Sequence, residues 1–193
     1  ALWTFYRAMH IEQWINALLA GKPIGSTASA PNSSFTPEVQ YWWPNIQQWA
    51  AQFNLDPDLV ATVMQVESCG DPNAISPSGA QGLFQVMPFH FALHAAMLDP
   101  ATNANAGLAF LVDVLNQARG DVNLAMAAYN GGPNMINLAA DQWSDETRRY
   151  YYWGSGIYAE AKSGTNVRLK EWLTAGGFAL CQQADYRLRI RSN

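Results

Sequence analysis

The clearest pattern of apolar and polar positions runs through the middle of the chain at helical spacing. Val60, Val63, Met64 and Glu67 stand at i, i+3, i+4 and i+7, which places them on one face of a helix. Residues 104–118 repeat the pattern with Ala104, Leu108, Leu111 and Leu115. The flanking residues supply start and stop signals. Thr36, Pro37 and Glu38 read as a cap, a first-position proline and an early acid, predicting a helix from there to about Phe53. Asn54-Leu55-Asp56-Pro57 closes it and opens the next, with Asp56 as cap and Pro57 where a missing N–H does no harm. Gly120 ends the 104–118 helix, Asp121 caps the segment "DVNLAMAAYN", and "GGP" stops it. Ser144, with Thr147 three residues on, opens a helix over 144–162, and "VRLKEWLTAGGFALCQQA" predicts one or two short final helices. The period is lost in "CGDPNAISPSGAQGLFQVMP", residues 69–88, where four glycine or proline breakers precede Gly82. That stretch reads as a loop with a short strand or helical turn around Leu83–Val86. The fold class is mostly α, with one irregular lobe and no internal repeat.

The N-terminal "ALWTFYRAMHIEQWINALLAGKP" is apolar but carries Arg7, His10, Glu12 and Asn16. It falls short of the ~20 predominantly apolar residues of a membrane span. It also lacks the positive leader and small-residue cleavage site of a signal peptide. It reads as an amphipathic helix docking on the domain. "GKPIGSTASAPNSSFTP" then reads as a linker or extended arm. Residues 1–35 are therefore an N-terminal helical arm and linker, and 36–193 the compact domain.

Composition narrows the function. The 193 residues are 49% hydrophobic and only 13% charged, with net charge −4, which excludes a disordered chain and the basic footprint of a nucleic-acid binder. The basic C-terminal "YRLRIRSN" is short and reads as a solvated tail. The two cysteines, Cys69 and Cys181, have no metal-ligand spacing. They are either a disulfide pinning the C-terminal segment to the end of the Glu67 helix or two unrelated buried thiols. The bond is favoured if the protein works outside the cytoplasm.

An acid at the end of a buried stripe asks for an explanation. Partial burial and a helix C-terminus both raise the pKa of Glu67, and no Lys or Arg occurs between residues 51 and 118 to oppose them. A carboxyl held protonated near neutral pH is a general acid; an acid in an apolar pocket is the handling that lysozyme gives its own. Ser76 and Gln85 offer hydrogen bonds, and Met87 an adaptable apolar contact for a ring. Tyr129 and Asn130 sit at a helix end beside a glycine turn, and Glu146 and Tyr150 at i and i+4 share one helix face.

Three stretches, "ESCGDPNAISPSGAQGLFQVMP" at 67–88, "AMAAYNGGP" at 125–133 and "ETRRYY" at 146–151, resemble the soluble lytic transglycosylase family, murein-cleaving relatives of goose-type lysozyme. The resemblance carries four ordered motifs between residue 56 and about 160. It implies a lysozyme-like helical domain with a small irregular lobe, acting on peptidoglycan glycan strands of a bacterial cell wall. Glu67 would be the single catalytic residue, protonating the glycosidic oxygen between N-acetylmuramic acid and N-acetylglucosamine. It would then act as base on the muramyl 6-hydroxyl to leave a 1,6-anhydro end. Ser76, Gln85 and Met87 would line the saccharide cleft, Tyr129 would hydrogen-bond and orient Glu67, and Asn130 would support that turn. Glu146 and Tyr150 would form cleft wall. No metal, cofactor, nucleic acid or integral membrane segment is implied. The site of action would be extracytoplasmic (periplasm, cell wall or secreted), with any signal peptide removed ahead of Ala1. Phe84 stands where the family commonly has Met, an apolar exchange, and Cys69 after the Glu-Ser pair speaks more for a disulfide than a reactive thiol. Two rivals share the pattern. A hydrolase of the goose-lysozyme or endolysin type needs a second carboxylate, for which Asp71 and Glu146 are candidates. A non-catalytic glycan-binding module would have no use for Glu67.

Overall fold

The computed structural model describes residues 31–190, within a compact unit that begins at Pro31. The expected N-terminal helix and most of the expected linker lie outside the described residues. Among the described residues eight α-helices follow in order: α1 (Pro37–Tyr41), α2 (Trp43–Phe53), α3 (Pro57–Ser68), α4 (Pro100–Gln117), α5 (Val122–Gly131), α6 (Asp145–Ser163), α7 (Val167–Trp172) and α8 (Phe178–Leu188). Among the described residues there is no strand, only the isolated bridges Ile75–Gln81 and Gln81–Val86. The fold is thus mostly helical with one irregular lobe, residues 69–99, between α3 and α4.

Three caps form as their sequences dictate. The Asp56 carboxylate accepts from the Asp58 N–H, Asp121 from Asn123 and Leu124, and Ser144 from Thr147; each satisfies a helix-end donor that would otherwise lack a partner. Two expectations fail at the start of the domain. Thr36 precedes α1 but makes no side-chain cap. Its N–H and hydroxyl both donate to Oε1 of Gln65, at 3.1 and 3.2 Å, because Gln65 is fully buried in α3 and its amide must be satisfied. The single helix expected through Phe53 is broken at Trp42, whose φ of −86° and ψ of 2° end α1. Pro44 lies in the first turn of α2, where its missing N–H is tolerated, and cannot serve within a continuous helix. The chain ahead of α1 is also docked: Phe35 is buried, and the Asn32 amide donates to Asp58 at 2.8 Å and to the Ala161 carbonyl at 3.1 Å.

α3 and α5 form the centre. Val60, Ala61, Val63 and Met64 of α3 and Met126, Ala127 and Ala128 of α5 have no solvent exposure. α6 packs across both, α2 against α3, and α4 against α5. Burying large apolar side chains at roughly 1.5–3 kcal/mol each makes this the principal stabilising layer. Ala104, Leu108 and Leu111 of α4 are fully buried as their spacing predicts, and Leu115 packs at the margin.

The C-terminal segment is fastened to the end of α3. Cys69 and Cys181 form a disulfide that joins α3 to α8, and Arg187 of α8 reaches Asp71 at 3.1 Å. "YRLRIRSN" is therefore not wholly a solvated tail: its first arginine is tied down.

Candidate active site

Glu67 occupies the last turn of α3. Cys69 follows in the left-handed region at φ 52° and turns the chain away. The Ser68 hydroxyl donates to the Leu83 carbonyl at 2.8 Å, tying the end of α3 to the lobe. The lobe is organised from below by Asn103 of α4. Its amide donates to the carbonyls of Gln81 (2.7 Å) and Met97 (2.9 Å), and its oxygen accepts from the Phe84 N–H (2.9 Å). A side chain at Gly82, φ 74°, would lie 2.5 Å from that amide, so only glycine admits the buried Asn103 beneath the loop. The close approach of α4 likewise needs Gly107, where a Cβ would meet the Phe84 side chain at 2.7 Å.

These constraints shape a cleft of about 260 Å³. Glu67 lies at its floor, with Ser76, Gln85 and Met87 contributed by the lobe. Tyr129 and Asn130 of α5 and Glu146 of α6 complete the part predicted from sequence. Gln85 is held at φ 45°, with its amide nitrogen donating to the carbonyls of Gly82 (2.9 Å) and Ala74 (3.2 Å). Its Oε1 is the atom left to meet a ligand. The Ser76 hydroxyl pairs with that of Ser78 at 2.9 Å, and the Asn130 side-chain Oδ1 accepts from the Thr147 hydroxyl at 3.0 Å.

The electrostatics single out Glu67. It keeps partial access to the cleft, but protein crowds it on the other sides, and desolvation is the main cause raising its pKa to about 8. The charge of Glu146 raises it as well, while the Tyr150 hydroxyl lowers it. Tyr129 and Tyr150 are themselves pushed well above the usual phenol value by burial and by the charge of Glu67. The result is a carboxyl that holds its proton at neutral pH among phenols that keep theirs.

Two sequence-based roles change. Tyr129 does not hydrogen-bond Glu67: its hydroxyl donates to the Phe84 carbonyl at 3.0 Å, so it braces the lobe against α5. Tyr150 is not cleft wall. It is buried, does not line the cleft, stacks on Tyr129 at 6.4 Å between ring centroids, and sits near enough to Glu67 for the two groups to shift each other's pKa. The shared face of Glu146 and Tyr150 runs from the exposed rim into the core, so the two separate by depth. Asp71, offered as a second carboxylate, is buried against Arg187 and does not line the cleft.

Residues 44–151, more than half of the chain, match the family described as Transglycosylase SLT domain. The chain belongs to this family. It is 42% identical over 111 residues to the transglycosylase of Enterobacteria phage PRD1, covering 56% of this chain and 40% of the phage protein. It is 31% identical over 114 residues to the membrane-bound lytic murein transglycosylase C of Photorhabdus laumondii subsp. laumondii, covering 48% of this chain and 32% of the relative. Among solved structures, an inactive mutant of the lytic transglycosylase Slt from Pseudomonas aeruginosa aligns with a TM-score of 0.52 and 27% identity, over 65% of this chain and 25% of that one. The chain thus spans 40% or less of the length of each of these relatives.

The family match begins at Pro44 and ends at Tyr151, so it takes in Glu67, the whole lobe and every candidate site residue, and leaves out α1, α7 and α8. Sequence reasoning missed Asn103, whose only signal was a polar residue on the buried stripe that includes Ala104. It also missed Phe89, His90 and Phe110, which line the same cleft. Among the described residues, the one grouping of metal-ligand types is Glu38, Cys69 and Cys181, and both its sulfurs are committed to the disulfide. No helix of the described residues is long and apolar enough to cross a membrane.

Proposed function

We propose that this domain is a peptidoglycan lytic transglycosylase that cleaves the β-1,4 bond between N-acetylmuramic acid and N-acetylglucosamine without water, leaving 1,6-anhydro ends. The observation that carries the proposal is a single protonated carboxyl, Glu67, at the floor of the cleft with a pKa near 8. In the first step the Glu67 proton passes to the glycosidic oxygen as the C1–O bond breaks, and the carboxyl becomes a carboxylate. In the second, that carboxylate takes the proton of the muramyl 6-hydroxyl while the muramyl O6 bonds to C1. The proton returns to Glu67, and the residue ends as it began. A pKa near the working pH suits both steps, since the group must give and regain a proton in each turnover. Tyr150, whose hydroxyl lowers the Glu67 pKa, stabilises the charged form between the steps. The substrate is a glycan strand of a bacterial wall, which places the action outside the cytoplasm, where a disulfide such as Cys69–Cys181 persists.

A hydrolase would need a second carboxylate across the cleft to activate water. Asp71 is unsuited, being buried against Arg187, and Glu146 is the other carboxylate lining the cleft. Mass spectrometry of the products from purified sacculi distinguishes the two chemistries. Transglycosylation gives muropeptides lighter by one water and resistant to borohydride. Reducible muramyl ends would assign the second step to water and Glu146.

A further inference from the structure

The cleft extends past the residues that handle the proton. Pro88–His90 form a 3₁₀ turn at the outer edge of the lobe, and Phe89 stands 75% exposed on it while still lining the cleft that contains Glu67. Tyr186, exposed on α8, does not line that cleft. Phe89 is also not isolated. Its ring lies 4.5 Å from His90, His90 lies 4.6 Å from Phe110, and Phe110 lies 5.4 Å from Tyr129. Four rings therefore run without a gap from the lip of the cleft to the tyrosine above its floor. His90 and Phe110 are partly buried, so the exposed Phe89 ring has support behind it.

A glycan strand outgrows the cleft. The cleft, at about 260 Å³, is smaller than the roughly 300–1,000 Å³ that encloses a drug-sized ligand, so a polymer bound at Glu67 must continue over the rim. An aromatic ring with an apolar face suits the C–H face of a pyranose, and neighbouring polar atoms suit its hydroxyls. The Ser76 and Ser78 hydroxyls and the His90 imidazole provide those atoms. Burial pushes the His90 pKa below its usual value, against the charge of Asp113. At neutral pH it offers one donor and one acceptor.

We infer that Phe89, backed by His90 and Phe110, is a stacking platform for a pyranose ring of the glycan strand outside the scissile bond, and so favours long strands over short ones. The inference rests on the glycan reading of the cleft. It is tested by isothermal titration calorimetry in the Glu67→Gln background, where binding is read without turnover. The two probes are a peptide-free murein hexasaccharide and the disaccharide N-acetylmuramyl-β-1,4-N-acetylglucosamine, which spans the scissile bond alone. Phe89 is exposed, so its replacement leaves the fold intact. Phe89→Ala weakens hexasaccharide binding about five- to tenfold, the loss of one aromatic contact, and leaves disaccharide binding within roughly twofold. Phe89→Trp restores the hexasaccharide affinity. An equal loss on both probes, or no loss on the hexasaccharide, overturns the platform. Cleavage of sacculi by Glu67→Gln alone, read beside these titrations, keeps the two claims apart. If that variant still cleaves while the length-dependent loss persists, the acid assignment fails and the platform stands. If it binds neither glycan, the platform falls with the reading beneath it.

Discussion

Glu67 and Asp71 are four residues apart, on either side of one helix end, and the chain treats them in opposite ways. Asp71 is turned into the protein, with Arg187 of α8 at 3.1 Å and the Asn73 N–H donating at 2.9 Å. Glu67 is turned to the cleft, with no cation beside it and a second acid, Glu146, near enough to raise its pKa. The left-handed turn at Cys69 sends the two carboxylates to different places. A buried acid with a cation beside it holds structure together, whereas a crowded acid without one is an unrelieved charge unless it keeps its proton. The first arrangement fastens the C-terminal helix; the second prepares an acid.

Substitution at Glu67 has the largest effect. Glu67→Gln keeps the shape but has no proton to give, so cleavage of sacculi falls by about 10²–10⁴-fold, checked by turbidity loss together with retained glycan binding. Next comes the fastening. Replacing Cys69 and Cys181 together by Ser opens a link across a sequence separation of 112 and lowers stability by about 2–4 kcal/mol in chemical denaturation. Arg187→Met leaves Asp71 buried without its cation and costs about 1–3 kcal/mol by the same measurement. At Glu67 the sign reverses. The carboxyl loses its proton near 4.5 when unfolded and near 8 when folded, so between those values the native state binds more protons and stability falls as pH rises. Glu67→Gln is therefore more stable than the wild type at pH 8, by on the order of 1–3 kcal/mol because the cleft still admits solvent. The gap closes as pH falls toward 4.5. The smallest effect is at Tyr150. Tyr150→Phe removes the hydroxyl that lowers the Glu67 pKa, so the alkaline limb of the pH–rate profile moves up by less than about one unit.

What the sequence revealed follows from what is local. Period and caps are written in neighbouring residues, so α3 to α6 and the Asp56, Asp121 and Ser144 caps were legible. Glu67 was legible because it is an acid on an apolar stripe, and the Glu-Ser, Gly-Leu-x-Gln and Ala-Tyr-Asn motifs surround it. The lost information is tertiary. Nothing near Thr36 announces that a buried Gln65 will claim its donors. The two tyrosines carry equal promise in sequence; only the approach of the lobe at Gly107 gives Tyr129 to Phe84 and leaves Tyr150 to Glu67. Asn103 looked like a polar lapse in a helix, and its three bonds to the lobe appear only when α4 is laid beneath it. Phe89 followed a proline in a segment without period, where exposure and the edge of a cleft cannot be told apart.

Acid catalysis here depends on the protonation state of Glu67, and carbon-13 NMR of glutamate-labelled protein reads it directly. The carboxyl resonance missing from Glu67→Gln should titrate with a midpoint near pH 8. A midpoint near 4.5, the value of an ordinary exposed glutamate, would leave the cleft without a general acid at neutral pH and contradict the mechanism.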